Sequence, residues 1–192
     1  MAEFTKRIFD SELLGVEHWI QPRTEKVAYL ILLLAALSMR LWDLDVRAMH
    51  HDESLHALYA WNLSTGRGYE HNPMMHGPFQ MEATAALFHI FGDSDATSRI
   101  LYAIAGSLLV LLPLLFRSRL GNWGALATSV MLTFSPAMLY YSRFARNDIL
   151  MAVWTLGLVI AMWKFLDDGD DENIPDTASG GESATERAAE TV

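Results

Sequence analysis

The apolar residues of this chain come in long blocks, not in an amphipathic pattern, and that arrangement decides what it can fold into. Val27 to Ser38 carries no charge and extends to Leu44 if Arg40 snorkels toward a membrane interface. Ile100 to Phe116 is a second block, broken only by Gly106, Ser107 and Pro113; Gly124 to Tyr141 is a third and Ile149 to Phe165 a fourth. A helix crossing a bilayer needs roughly 17 to 25 mostly apolar residues. The last three blocks meet that length and the first reaches it once extended. A soluble helical bundle is the alternative for a chain that is 52% hydrophobic, but its helices would each keep a polar face. Leu108 to Phe116 has none. The expected class is therefore an all-α, multi-pass protein of the cell membrane, with about four transmembrane helices at 27–44, 97–116, 124–141 and 149–165 and an outer loop at 45–96.

Basic residues orient such a chain. With an inside N-terminus, Lys6, Arg7, Arg23, Lys26, Arg117, Arg119, Lys164 and Arg187 fall inside, against Arg40, Arg47, Arg67, Arg99, Arg143 and Arg146 outside. The excess is small; the clustering of Arg23 with Lys26, and of Arg117 with Arg119 in a short connection, adds to it. Residues 1–26 form a cytoplasmic or interfacial leader. Phe4, Ile8, Phe9, Leu13, Val16, Trp19 and Ile20 recur at helical spacing, which suits a short interfacial helix as well as an unstructured leader. No small-residue cleavage site follows the first block, so it reads as an uncleaved anchor.

The net charge of -9 gathers at the other end. Asp167, Asp168, Asp170, Asp171 and Glu172 open a tail, 167–192, with too few apolar residues to pack, and it is expected to be disordered. The chain has no cysteine, which excludes disulfides, thiolate metal sites and a cysteine nucleophile.

Chemistry is expected in the outer loop. His51 or Asp52 can open a helix that Leu55, Leu58, Tyr59 and Asn62 continue and Ser64-Thr65-Gly66-Arg67-Gly68 ends. A second helix starts at Pro78, a favourable first position, and ends at Gly92 in a left-handed cap. Both are expected to rest on the membrane. The stretch from Gly68 to Pro78 reads as an ordered bend that can wall a pocket.

Asp52 and Asp148 each admit a plain explanation as helix caps. With two spans between them they also emerge on the same face. Carboxylates within ~4 Å repel by about 4 kcal/mol at an effective dielectric of 20, so a convergent pair needs a proton, an arginine or a cation between them. Oxygen ligands from Asp52, Glu53 and Asp148 suit a divalent cation such as Mg²⁺ or Mn²⁺; His50, His51, His56 and His76 widen the choice toward zinc, although the His51–His56 spacing is not a usual zinc pattern. Arg143 and Arg146, three apart, can point the same way on one helical turn and suit a lipid phosphate, or only headgroup contact.

In order along the chain, these residues resemble a known family. A first span, the Asp52-Glu53 pair, a loop with two helices, His76-Gly77-Pro78, Phe91-Gly92, Arg99 opening the next span, and Ser135-Pro136 before Arg146-Asn147-Asp148 look like the N-terminal part of GT-C glycosyltransferases, among them protein O-mannosyltransferases and lipid A aminoarabinose transferases. Met49 to Ser54, Tyr69 to Pro73 and Tyr140 to Asp148 further resemble archaeal membrane proteins labelled flippase activity-associated. The likeness covers about residues 25 to 168.

That resemblance implies a polyprenyl-phosphate-linked sugar as donor, an acceptor at the extracytoplasmic face, inverting transfer, and protein glycosylation as the setting. Asp52 matches the family's loop carboxylate, which acts as base or orients the acceptor, with Glu53 beside it as a second catalytic candidate. Asp148 matches a second acidic position that holds a metal in some members; Asp52, Asp148 and His76 are the metal ligands expected here. Arg143 and Arg146 would bind the lipid phosphate. Such proteins continue through several more spans, so this chain reads as an N-terminal fragment, a split gene product or a degenerate copy, and a partner membrane subunit could supply the missing spans. The partners expected are the lipid-linked sugar, the bilayer and that subunit, with no nucleic acid. A non-catalytic subunit assisting lipid-linked glycan handling or flipping is the alternative function, and a passive four-helix scaffold is a third.

Overall fold

A computed structural model describes residues 22–68 and 77–171, with side chains described from Arg23 to Gly68 and from Gly77 to Leu166. Residues 1–21 of the leader, residues 69–76 with His71 and His76, and the tail beyond Asp171 lie outside the described residues. The chain divides into two units, Met1–Gly157 and Leu158–Val192.

The described residues are helical and contain no strand. The elements are α1 (Pro22–Leu41), α2 (His51–Ser64), α3 (Pro78–Phe91), α4 (Asp95–Leu109), α5 (Leu112–Leu115), α6 (Arg117–Phe134), α7 (Pro136–Ser142) and α8 (Asp148–Asp171). Asp95–Leu115 and Asp148–Leu166 are long and apolar enough to cross a membrane. Val27, Leu30, Ile31 and Leu34 on α1, and Met151 and Trp154 on α8, leave large apolar side chains exposed, a stripe that suits lipid better than water. In the second unit, α8 stays helical through Asp171, five residues into the stretch expected to be disordered.

Two of the expected spans are interrupted, and proline is the reason each time. Pro113 has no N–H to continue the ladder, so the chain tightens at Val110 and Leu111, which donate three residues back to Ser107 and Leu108, and α5 restarts at Leu112. Pro136 forces Ser135 into an extended conformation, ψ 121°. The Ser135 hydroxyl then caps α7 by accepting from the Met138 N–H at 3.4 Å. The block from Gly124 to Tyr141 is thus two helices, not one.

Pro136 also leaves the Leu132 carbonyl without its usual partner four residues on. Arg40 fills that place. Its Nη2 donates to Leu132 O at 3.0 Å, its Nε to Ser142 Oγ at 3.2 Å and its Nη1 to Ala36 O at 3.4 Å. Arg40 is 0% exposed, so it does not snorkel: it turns inward, where the orphaned Leu132 carbonyl, the Ala36 carbonyl and a hydroxyl accept its protons. The approach requires Gly106 on α4, since a Cβ there would collide with the Ser142 side chain and lie 3.2 Å from Arg40 Nε. Ser142 in turn donates to Met138 O.

Near the start of α1, Glu25 pairs with Arg117 of α6 at 3.4 Å, which puts those two helix starts at one end of the bundle. The ends of α1 and α7 and the start of α8 lie at the other, with the core of Tyr102, Leu109, Ala145, Ile149 and Leu150 packed beside them. Helices α2 and α3 lie side by side and parallel. His56 pairs with Gln80 near their starts, and Ala60, Ala85 and Phe88 form their shared core further along. Gln80 also accepts from the Tyr102 hydroxyl at 3.4 Å, tying the pair to α4. Phe88 is used between the helices, while Leu55, Leu58, Phe79, Ile90 and Phe91 stay exposed, as expected of helices resting on a membrane.

Candidate active site

The start of α2 sets the site. His50 is the N-cap: its Nδ1 accepts from the Asp52 N–H at 3.3 Å, while Glu53 reaches back to accept from the His50 N–H at 3.0 Å. This reciprocal pair satisfies two helix-start donors. The helix opens at His51, one of the two openings expected, and with His50 as the cap the Asp52 carboxylate is released from capping.

Glu53 is fully buried, and five donors from three other stretches of chain converge on it. Oε1 accepts from Arg99 Nε at 2.8 Å and from the Ala145 N–H at 2.9 Å; Oε2 accepts from Arg99 Nη2 at 3.0 Å, Arg47 Nη2 at 3.2 Å and the His50 N–H. Arg99, 1% exposed, also donates to the carbonyls of Leu44 and Arg47. Burial alone would raise the Glu53 carboxyl, but the hydrogen bonds from Arg99, His50 and Ala145, with the Arg99 charge, outweigh it and hold the group below its ordinary 4.5. With both oxygens engaged, Glu53 fixes the surrounding backbone and has no face free for a substrate.

Asp52 and Asp148 do come together, through an arginine. Arg146 Nη1 donates to Asp52 Oδ2 at 3.1 Å, and its Nε lies 3.4 Å from Asp148 Oδ2; all three side chains are about two-fifths exposed. Asp148 is the first residue of α8, where a carboxylate also favours the helix dipole. The guanidinium therefore occupies the place between the carboxylates for which a divalent cation is one of the candidates. Among the described residues no group of three His, Asp or Glu gathers as a ligand set. Glu53 is committed to arginines and His56 is buried against Gln80. His76, the third expected ligand, lies outside the described residues. Asp52 and Asp148, already bridged by Arg146, fit a cation poorly, because it would have to displace the guanidinium.

Arg143 and Arg146 do not form a fork. Helix α7 ends at Ser142, residues 143–147 are not helical, and the two side chains diverge. Arg143 donates to Met39 O at 2.8 Å and Asp43 O at 3.0 Å, satisfying carbonyls at the end of α1. It still lines an open cleft of about 430 Å³, together with Leu44, Val46, Arg47, Arg99, Leu139 and Tyr140. The walls are mostly apolar, and the charged lining residues are Arg47, Arg99 and Arg143 together with Asp43. Arg47 lies over the rings of Tyr140 and Phe144, 5.2 and 5.0 Å from their centroids. Phe144 stacks on Tyr140 and meets the His50 ring at 5.6 Å, and His50 Nδ1 is 3.9 Å from Asp52 Oδ2. That chain of contacts leads from the cleft to the carboxylate.

Arg47 and Arg99 are the functional residues that sequence reasoning did not single out for a site. The signal for Arg99 was present: an ionisable group four residues into an apolar helix, after the Ser94 cap, needs a buried partner. Arg47 carried no such mark.

Residues 75–173 match the family of dolichyl-phosphate-mannose-protein mannosyltransferases. No curated protein and no solved structure matches the chain. The matched stretch holds Arg99, Arg143, Arg146 and Asp148, while Asp52 and Glu53 precede it. It covers more than half of the 192 residues, and the chain belongs to the dolichyl-phosphate-mannose-protein mannosyltransferase family of GT-C membrane glycosyltransferases.

Proposed function

We propose that this chain takes part in transfer of a sugar from a polyprenyl-phosphate donor, at the extracytoplasmic face of the membrane. The observation that carries the reading is the Asp52–Arg146–Asp148 bridge joined by His50 and Phe144 to an apolar cleft rimmed with guanidiniums. An apolar wall with fixed cations suits a lipid phosphate, because the chain and the headgroup each find a matching surface. Arg47 and Arg143 face the cleft and would hold the phosphate as it leaves with developing negative charge. Asp52, about two-fifths exposed, is placed to accept the acceptor hydroxyl's proton as the new bond forms to the sugar and the bond to phosphate breaks. Arg146 holds Asp52 oriented beside Asp148. Glu53 acts at one remove, as a positioning residue.

The test is transfer in vesicles containing the purified chain and a short-chain polyprenyl-phosphate mannose. Wild type is expected to transfer the sugar and Asp52→Asn to lose transfer by at least a hundredfold with unchanged helicity. Equal rates for the two proteins would remove Asp52 from the chemistry. Transfer that appears only when another membrane chain is added would favour an assisting subunit.

A further inference from the structure

A second cleft lies away from Asp52, where the C-terminal ends of α2 and α3 meet. It holds about 220 Å³ and is lined by Trp61, Ser64, Thr65, Phe88, His89 and Asp93, together with Gly92. Trp61 lies nine residues beyond Asp52 on α2, which places the cleft about 14 Å along the helix at 1.5 Å per residue. Its geometry is fixed from within. Asp93 Oδ2 accepts the Trp61 indole N–H at 2.8 Å, so the ring is pinned in the wall. The hydroxyls of Ser64 and Thr65 both donate to Trp61 O at 2.9 Å. Their protons are spent, and their oxygens remain as acceptors.

The polar lining is therefore rich in acceptors: two hydroxyl oxygens, the Asp93 carboxylate and the His89 imidazole. The complement is a ligand with several donors. A cationic amine is disfavoured, because the Arg67 guanidinium already sits 4.2 Å from the centroid of the Trp61 ring and would repel a second positive charge. A neutral polyol has the donors without the charge, and its C–H faces suit the aromatic wall of Trp61 and Phe88. The volume is below the roughly 300 Å³ at which drug-sized pockets begin and suits one sugar ring.

We propose that this cleft is a subsite for a single neutral saccharide ring. It would hold a sugar of the acceptor, or one already attached to it, at a set distance from the reacting carboxylate. The saccharide assignment stands on the cleft alone, and only its use for the acceptor rests on the transfer reading.

The experiment is saturation-transfer NMR on free D-mannose, D-glucose and D-galactose with the full chain in phosphatidylcholine nanodiscs, compared with empty discs. Saturable transfer to at least one sugar is expected, reduced tenfold or more in affinity by Asp93→Asn, which keeps an oxygen for Trp61, and by His89→Leu. Asp52→Asn is expected to bind as wild type does, so loss of catalysis and loss of this subsite separate. No saturable signal over empty discs, equal binding by the Asp93 and His89 variants at unchanged helicity, or preferential binding of N-acetyl-lysine methylamide would each overturn the proposal.

Discussion

The backbone N–H of Ala145 donates to the carboxylate of Glu53 at 2.9 Å across 92 residues of sequence. That bond fixes the non-helical stretch 143–147 against the start of α2, and so brings Arg146 to Asp52. Removing one member of a buried, hydrogen-bonded ion pair costs about 3–5 kcal/mol. Glu53→Ala is expected to lose stability on that scale, because it strands the Arg99 charge and two backbone N–H groups. Replacing both Glu53 and Arg99 with leucine is expected to recover much of the stability but not the activity, since Ala145 still lacks its acceptor. Denaturant titration in detergent, followed by the transfer assay, checks both halves.

The same carboxylate sets a pH dependence. Its folded value lies below the ordinary 4.5, so between the two the unfolded chain binds the proton and the folded chain does not. Stability from Glu53 is fully present above about 4.5 and is lost as pH falls through the lower, folded value. Thermal unfolding between pH 7 and pH 3 is expected to show a drop in the acidic part of that range that is absent in Glu53→Gln. A parallel decline in both proteins would assign the drop to other groups.

Gly106 is where α4 admits Ser142 and Arg40. A methyl group there meets the Ser142 side chain, and overpacking of this kind costs about 1–3 kcal/mol. Gly106→Ala is expected to lower the unfolding free energy by that amount, read from denaturant titration. Gly157, helical with nothing within 4 Å of an added Cβ, serves as control, and Gly157→Ala is expected to be neutral or to gain up to about 1 kcal/mol.

These elements differ in how far the sequence disclosed them. Helices α2 and α3 were legible almost to the residue, because Ser64-Thr65-Gly66, Pro78 and Gly92 are local signals that no distant contact overrides; Gly92 closes α3 at φ 84°. The meeting of Asp52 with Asp148 was also legible, from the number of apolar blocks between them. What lies between them was not, because the path of 143–147 depends on Glu53 accepting from Ala145, a contact without a sequence period. Arg40 shows the same limit. Its inward turn needs the carbonyl that Pro136 frees and the space that Gly106 leaves, two features some 60 to 100 residues away in sequence.

Arg146 bridges two carboxylates that are each about two-fifths exposed, and that exposure separates its effect on folding from its effect on function. Solvent-screened pairs of this kind contribute about 0–1 kcal/mol, so Arg146→Ala is expected to change the unfolding midpoint little. Its loss would nonetheless remove the group that spans Asp52 and Asp148, leaving two like charges free to move apart. Transfer is expected to fall roughly a hundredfold, the scale seen when one electrostatic contact to a reacting group is removed. Arg146→Lys, with one charge but no fork to span both carboxylates, is expected to recover only part of the rate. Since the guanidinium supplies the charge between the acids, EDTA is expected to leave the wild-type rate unchanged. A rate that EDTA abolishes and Mg²⁺ or Mn²⁺ restores would return those two carboxylates to the role of metal ligands.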